Sequence, residues 1–519
     1  MNFVHLAWDN IDKYGEYVLL NFESQEYTNT DMERLSNRLG HGLLKMGLQK
    51  DDRIIVFLPN IPEVLISYLA ILRAGAIVVP VNPALSPHEL SYIISHSEAT
   101  MVITSGDLAG TVHSARELSK VKPLVIIAGR DPYPDSIPFV DCYADNDTFL
   151  MVDRPDDTTA AIIYTSGTTG QPKGVMLSHF NLYMEGHSDA QSCGICDANG
   201  TPLLDQVHQL CVLPLPHVYG LSTMALALLA RGTIFLMRDF DIEQILKCIQ
   251  EQEITVFAGS PNMYACLAIF PDAEKYNTSS VARWISGAAA LSLEIRQAFE
   301  KRYKATILEG YGLTETVSGF SMQRHDRLVK PGSVGPVIPS AEVRVVDDEG
   351  RPLPPGHMGE LTIKGPIVMK GYYQNEQETA RVIKDGWFFT GDIGYMDEDG
   401  DIFIVDRKKD LIIRGGFNIY PSEVEEVLCS HLDISDAGVV GIPDKDYGEQ
   451  VCAFVVLKEG AQTSKTDIQS FCRESLAKYK VPHYIEFCDR LPKNELGKTL
   501  RRELKVNLDS LAAVGEIPI

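Results

Sequence analysis

The chain has 519 residues, 45% of them hydrophobic, enough for one large core and a second, smaller one. Seventy acidic residues against 47 basic ones give a net charge of −23, which argues against general nucleic-acid or anionic-membrane binding but leaves anionic cofactors open to local groups. The start Met1-Asn2-Phe3-Val4-His5 lacks the basic head of a signal peptide, the most apolar window (Val64 to Val81) carries Arg73 at its middle, and ten scattered cysteines suit a reduced, cytoplasmic chain with no integral membrane segment.

Residues 16–28 read as a β-hairpin. Thr30-Asp31-Met32-Glu33 reads as a capping box that opens a helix stopping at Gly47. A strand over 53–58, a helix from Pro62 to about Arg73 and a strand over 77–81 follow, then Ser86-Pro87-His88-Glu89 caps the next helix. Further strands at 100–104 and 124–128 complete an alternation that implies a parallel sheet covered on both faces. After the polar crossing 141–157, the run Ala160-Ala161-Ile162-Ile163 reads as a buried strand.

That strand leads into Tyr164-Thr165-Ser166-Gly167-Thr168-Thr169-Gly170-Gln171-Pro172-Lys173-Gly174. Glycines bring backbone N–H groups close to an anion, the hydroxyls of Thr165, Ser166, Thr168 and Thr169 add donors, and Lys173 adds charge. The loop is not a Walker-type turn, because Pro172 separates Gly170 from Lys173 and 174–177 reads as a second strand. A hairpin-like clamp is expected instead. Cys193-Gly194-Ile195-Cys196 lacks a second ligand pair and reads as two plain cysteines in a surface loop.

The alternation resumes with a strand over 209–214, the turn Leu215-Pro216-His217-Val218-Tyr219-Gly220, an apolar helix over 221–230 and a strand over 233–237. Helices over 242–252 and 261–269 flank a strand at 256–258, and Trp284-Ile285-Ser286 ends in the small residues Gly287-Ala288-Ala289. Ile307-Leu308 leads into Glu309-Gly310-Tyr311-Gly312-Leu313-Thr314-Glu315, a polar turn or a site: its aromatic could lie against a base and its carboxylate suits Mg²⁺. Gly/Pro punctuation from 331 to 366 marks a β-rich subdomain, and Asp406-Arg407-Lys408-Lys409-Asp410 marks a boundary before a compact α+β end.

The segment 164–174 resembles the phosphate loop of the adenylate-forming superfamily, which comprises acyl-CoA synthetases, adenylation domains of peptide synthetases and luciferases. The remaining motifs stand in that family's order over nearly the whole chain. The resemblance implies an α/β large domain of parallel and mixed sheets covered by helices (1–405), a hinge (406–410, with Lys409 the hinge residue) and a small mobile α+β domain (411–519). It implies nucleotide contacts from Thr165 to Gly170 (Gly167 and Thr168 included), Lys173, Glu309, Gly310 and Gly312. Tyr311 would stack on adenine, entering past Gly287-Ala288-Ala289, Thr314 would meet the α-phosphate, Glu315 would hold Mg²⁺, and Asp392 with Arg407 would contact the ribose.

On the same resemblance His217, Tyr219, Gly287 and Gly319 wall the acyl pocket, Gly415, Gly416 and Phe417 form the coenzyme A tunnel, and Lys498 reaches the reacting carboxylate. The catalytic set is Lys498, Glu315, Thr168 and Lys173. The activity implied is an AMP-forming acid:CoA ligase using ATP, Mg²⁺ and coenzyme A. The acid is expected to be a fatty acid, with aryl or alicyclic acids, or transfer to a carrier protein in trans, as alternatives. A homodimer is a possible assembly. The spacing leaves the acid open, because pocket depth depends on how Tyr219, Met224, Gly287 and Gly319 pack.

Overall fold

In the computed structural model, residues 3–129, 133–165, 172–199, 201–204, 207–415, 417–445, 447–493, 499–501 and 503–505 are described. The chain packs into two compact units, Met1–Glu342 with Ile363–Phe388, and Val343–Thr362 with Phe389–Ile519. The expected hinge at 406–410 lies within the second.

The first unit holds two eight-stranded sheets. In one, Arg53–Phe57 pairs in parallel with Ile77–Pro80 and with Met101–Ser105, and the helix Pro62–Arg73 makes the crossover between the first two. Every residue of that helix except Glu63 is buried, as its apolar sequence foretold. Its single charge at the far end, Arg73, is fully buried and pairs with Glu33, with Nη1 donating to Glu33 Oε1 at 2.8 Å and to Asn37 Oδ1 at 3.2 Å.

That pairing explains one departure from expectation. The helix carrying Glu33 runs from Asn29 to Lys45, and its capping box is Thr28 with Asp31 rather than Thr30 with Glu33. Starting the helix there turns Glu33 inward to meet Arg73, and a buried guanidinium needs that partner.

In the second sheet, Val18–Phe22, Thr233–Leu236, His208–Cys211, Val256–Gly259, Arg283–Ser286 and Ile307–Tyr311 run parallel, with antiparallel strands at both edges. Aromatic packing fixes its outer face, where Trp284 meets Phe299 at 5.0 Å and Phe257 at 5.4 Å.

Cys193 and Cys196 depart from expectation too. The helix His179–Ser192 runs up to them and both are buried, at 3% and 2% exposure, not displayed on a loop. All ten cysteines are free thiols.

The second unit contains 343–346 of the short strand Glu342–Val346, 389–396 of the strand Trp387–Met396, its antiparallel partner Asp401–Arg407, and a five-stranded sheet. In that sheet Ile434–Asp444 and Gly448–Leu457 form a long hairpin, and Tyr484–Phe487 adds in parallel. The helices Pro421–Cys429 and Lys465–Ser475 supply buried Val424, Leu428, Ile468 and Cys472 to its core. Among the described residues no helix is long and apolar enough to cross a membrane.

Candidate active site

The expected clamp is an antiparallel hairpin: Thr159–Thr165 pairs with Lys173–Ser178, placing Thr165 opposite Lys173 and Tyr164 opposite Gly174. Ser166, Gly167, Thr168, Thr169 and Gly170 lie outside the described residues. Lys173 Nζ stands 2.5 Å from Glu378 Oε1, with both side chains mostly buried, and lies 5.1 Å from the centre of the Tyr372 ring. The Tyr372 hydroxyl donates to Glu315 Oε1 at 2.9 Å. One phenol therefore links the lysine at the foot of the loop to the carboxylate of the second motif.

Glu378 also accepts from Arg381 at 2.8 and 2.7 Å. Arg381 first, and Lys173 after it, hold the Glu378 carboxyl down to about 2. Neither Tyr372 nor Glu378 stood out in the sequence. The available signal was Asn375, which caps the helix Glu376–Val382 by accepting from Glu378 N and so fixes the position of Glu378. Upstream of that cap, Gly371–Tyr372 pairs antiparallel with Met176 and Val175 of the clamp. A cleft of about 90 Å³ opens beside this junction between Tyr92, His96, Lys173 and Tyr373.

The second motif leaves the other sheet at its carboxyl edge, where open α/β sheets bind ligands. Ser286 pairs with Glu309, so Gly287-Ala288-Ala289 and Tyr311-Gly312 emerge side by side. Ala288 adopts φ +71°, and Val317 sits at φ +66°, ψ −66° in a γ-turn closed by Ser318 N donating to Thr316 O at 2.9 Å. A β-branched residue in that conformation is strained, and such strain gathers at functional sites. The turn presses the chain onto Gly312, where a Cβ would lie 1.3 Å from Ser318 O. Beside Gly287 there is room, the nearest atom to a Cβ being Gly310 O at 3.8 Å.

Thr314 opens the short turn Thr314–Thr316, and the Tyr311 ring meets Phe320 edge-on at 5.5 Å. Glu315 fits a Mg²⁺ ligand: its Oε1 is held by a phenol, and its Oε2 makes no hydrogen bond among the described residues. A hard ion that keeps water and phosphate oxygens needs little more from the protein. Glu309 is committed elsewhere. Its carboxylate accepts from Leu291 N and Arg296 at 3.2 Å each, and burial raises its pKa, while its backbone N–H donates to Gln323 Oε1 and its carbonyl accepts from Gln323 N, both at 2.9 Å.

His217 caps the helix Val218–Leu229 by accepting from Tyr219 N at 3.4 Å, and its ring is exposed. Tyr219, on the first turn, is half-buried, and burial raises its hydroxyl above the usual range. Gly319 follows the γ-turn, and a Cβ there would meet Asp189 Oδ1 at 3.2 Å.

In the second unit Asp392 and Arg407 face one another across the antiparallel pair, with Arg407 Nε 2.9 Å from Asp392 Oδ1 and Asp392 buried. Lys409 lies in the short turn Lys408–Asp410. Asp406 and Asp410, to either side, both pair with Arg501, at 3.3 and 3.5 Å. Gly415, at φ +59°, turns the hairpin of Ile412–Arg414 with Phe417–Ile419, and Phe417 stacks on Tyr479 at 4.7 Å. Gly416 and Lys498 lie outside the described residues.

The model of the AMP-binding enzyme family matches residues 7–373, and that of its C-terminal domain matches 423–498. The chain belongs to the AMP-binding enzyme family. This AMP-binding enzyme is 38% identical to a long-chain-fatty-acid–CoA ligase of Bacillus subtilis (strain 168), over 96% of this chain and 92% of that protein. It is 36% identical to 4-coumarate–CoA ligase 1 of Solanum tuberosum, over 93% and 89%. Its fold matches ATP-bound MatB from Rhodopseudomonas palustris with a TM-score of 0.88 at 31% identity, covering 98% of this chain and 99% of that one. It is an AMP-forming acid:CoA ligase of the adenylate-forming superfamily, and ATP is its nucleotide.

Proposed function

We propose that this enzyme activates a fatty acid as its adenylate and transfers the acyl group to coenzyme A. The observation that carries the reading is the 38% identity, along 96% of the chain, to a protein named for long-chain fatty acids. In the first step a carboxylate oxygen attacks the α-phosphorus of ATP and the bond to the β,γ-phosphates breaks, releasing pyrophosphate. In the second the thiol sulfur attacks the acyl carbonyl, the bond to AMP breaks and the thiol proton passes to solvent.

Under this reading the segment 165–170 and Lys173 bind the phosphates, Tyr311 and 287–289 hold the adenine, and Asp392 with Arg407 bind the ribose. Thr314 and Lys498 meet the α-phosphate as charge spreads over its oxygens. Glu315 would hold Mg²⁺, which supplies charge neutralisation at the phosphates. Residues 1–405 act as the large domain and 411–519 as the small one. Movement about Lys409 brings Gly415, Gly416 and Phe417 toward coenzyme A for the second step.

A second reading, an aryl acid, is supported by the 36% identity to 4-coumarate–CoA ligase 1. Pyrophosphate release is measured with ATP, free coenzyme A and acids of graded chain length beside benzoate, cyclohexane carboxylate and 4-coumarate. The fatty-acid reading expects kcat/KM to peak within the aliphatic series. A peak on 4-coumarate or benzoate transfers the assignment to the second reading.

A further inference from the structure

Glu185 and Asp189 stand four residues apart on the helix His179–Ser192, hence on one face of it. Glu185 is fully buried, and among the described residues no lysine or arginine is bonded to Glu185 Oε1 or Asp189 Oδ1. The Ser222 hydroxyl donates to Glu185 Oε2 at 3.0 Å, and Asp189 Oδ1 lies against Gly319, 3.2 Å from where a Cβ would stand. Glu185 Oε1 and Asp189 Oδ1 are both buried without a hydrogen-bond partner among the described residues. Two carboxyls a helical turn apart can satisfy each other only with a proton between them.

Three elements meet at this pair. Ser222 lies one turn beyond Tyr219 on the helix capped by His217. Gly319 follows the strained γ-turn, and its missing Cβ is what admits Asp189 Oδ1. Among the described residues the remaining titratable group that interacts with both carboxyls is Cys193, just past the end of the same helix, whose thiol burial pushes far up and so keeps neutral. Behind it Arg283 is spent on the carbonyls of Cys193 and Gly194, at 2.5 and 3.1 Å.

We propose that Glu185 and Asp189 are positioning residues for the acyl wall: their shared proton ties the Gly319 backbone to the helix that carries Tyr219, and its loss drives the wall apart. This rests on the reading of Tyr219 and Gly319 as acyl-pocket residues. Burial raises both carboxyls, Asp189 to about 6 and Glu185 well above the usual carboxylate range, where the Asp189 charge adds to the rise. The pair therefore holds its proton to a higher pH than an ordinary carboxyl does and loses it as the pH rises. Two anions in a dry site without a cation repel strongly.

The test follows the KM of the acid by pyrophosphate release from pH 6.5 to 9.5 at saturating ATP, using whichever of decanoate and 4-coumarate turns over faster. The carboxyls of both acids are fully ionised throughout; the phenol of 4-coumarate titrates at the alkaline end, so cinnamate, which lacks it, is run beside 4-coumarate. The wild-type KM for the acid is expected to rise by up to about tenfold per pH unit once the pair ionises, with the KM for ATP unchanged. Glu185→Gln keeps a donor and an acceptor but no proton to lose, and its profile should be flat. Asp189→Asn serves the same purpose if Glu185→Gln does not fold by circular dichroism.

A flat wild-type profile, or an alkaline rise that survives in the amide variant, overturns the proposal. Tyr219→Ala separates the premises. If it leaves the acid KM unmoved, the acyl-pocket reading has failed. If it shifts the KM while Glu185→Gln keeps the wild-type pH profile, the pair alone has failed.

Discussion

Glu378 answers to two cations at once, Lys173 at 2.5 Å and Arg381 at 2.7 Å. Its carboxyl is lowered from 4.5 to about 2, so the stability it contributes is fully present above about 4.5 and is lost as the pH falls toward 2. Glu378→Gln should therefore lower the urea midpoint at pH 6 and leave it nearly unchanged at about pH 2 and below, flattening the acid limb of stability against pH. Such a residue was illegible in the sequence because its importance comes from a lysine about 200 positions earlier. Lys173 and Glu315 were legible because each sits in a local run whose glycines, hydroxyls and aromatic already state a chemistry. Tyr372, between them, carries no such neighbours.

At the scale of elements, the helices Asn29–Lys45 and Pro62–Arg73 are joined by an ion pair with Arg73 fully buried. Removing one member of such a pair leaves a charge in the core, so Glu33→Ala should cost about 3–5 kcal/mol in chemical denaturation. The double change Glu33→Leu with Arg73→Met should recover most of that loss. The same pair shows where reading stopped short. Thr28-Asn29-Thr30-Asp31 and Thr30-Asp31-Met32-Glu33 both satisfy a capping pattern, and nothing local chooses between them. The choice is made by a guanidinium on another helix. Periodicity served better where an element is buried on one stripe or throughout, as in the helices Pro62–Arg73 and Pro261–Ile269, whose limits were read directly. Cys193 and Cys196 defeated it because a buried turn and an exposed one share the same small residues.

For the molecule as a whole, the order of the motifs carried the family, while the division into compact units did not follow from local composition. The charged knot Asp406–Asp410 lies inside the second unit, where Asp406 accepts from Ser422 N at 2.8 Å and pairs with Arg501. Lys409→Pro fixes one backbone dihedral at the proposed pivot and removes an N–H. It should leave pyrophosphate release in the first turnover within about twofold of wild type and slow thioester formation by roughly tenfold or more, as gating residues do. Quenched-flow measurement of the two half-reactions distinguishes this from a general loss of activity.

The two-residue strand Gly371–Tyr372 borders the clamp strand Lys173–Ser178. During synthesis that border is made nearly 200 residues after the strand it covers. Until then the nascent sheet presents open backbone donors and acceptors, a template for pairing with another chain. A ribosome stalled ahead of residue 371 would thus hold an adhesive intermediate, and the last piece of the nucleotide clamp to be translated is also the piece that makes the sheet safe.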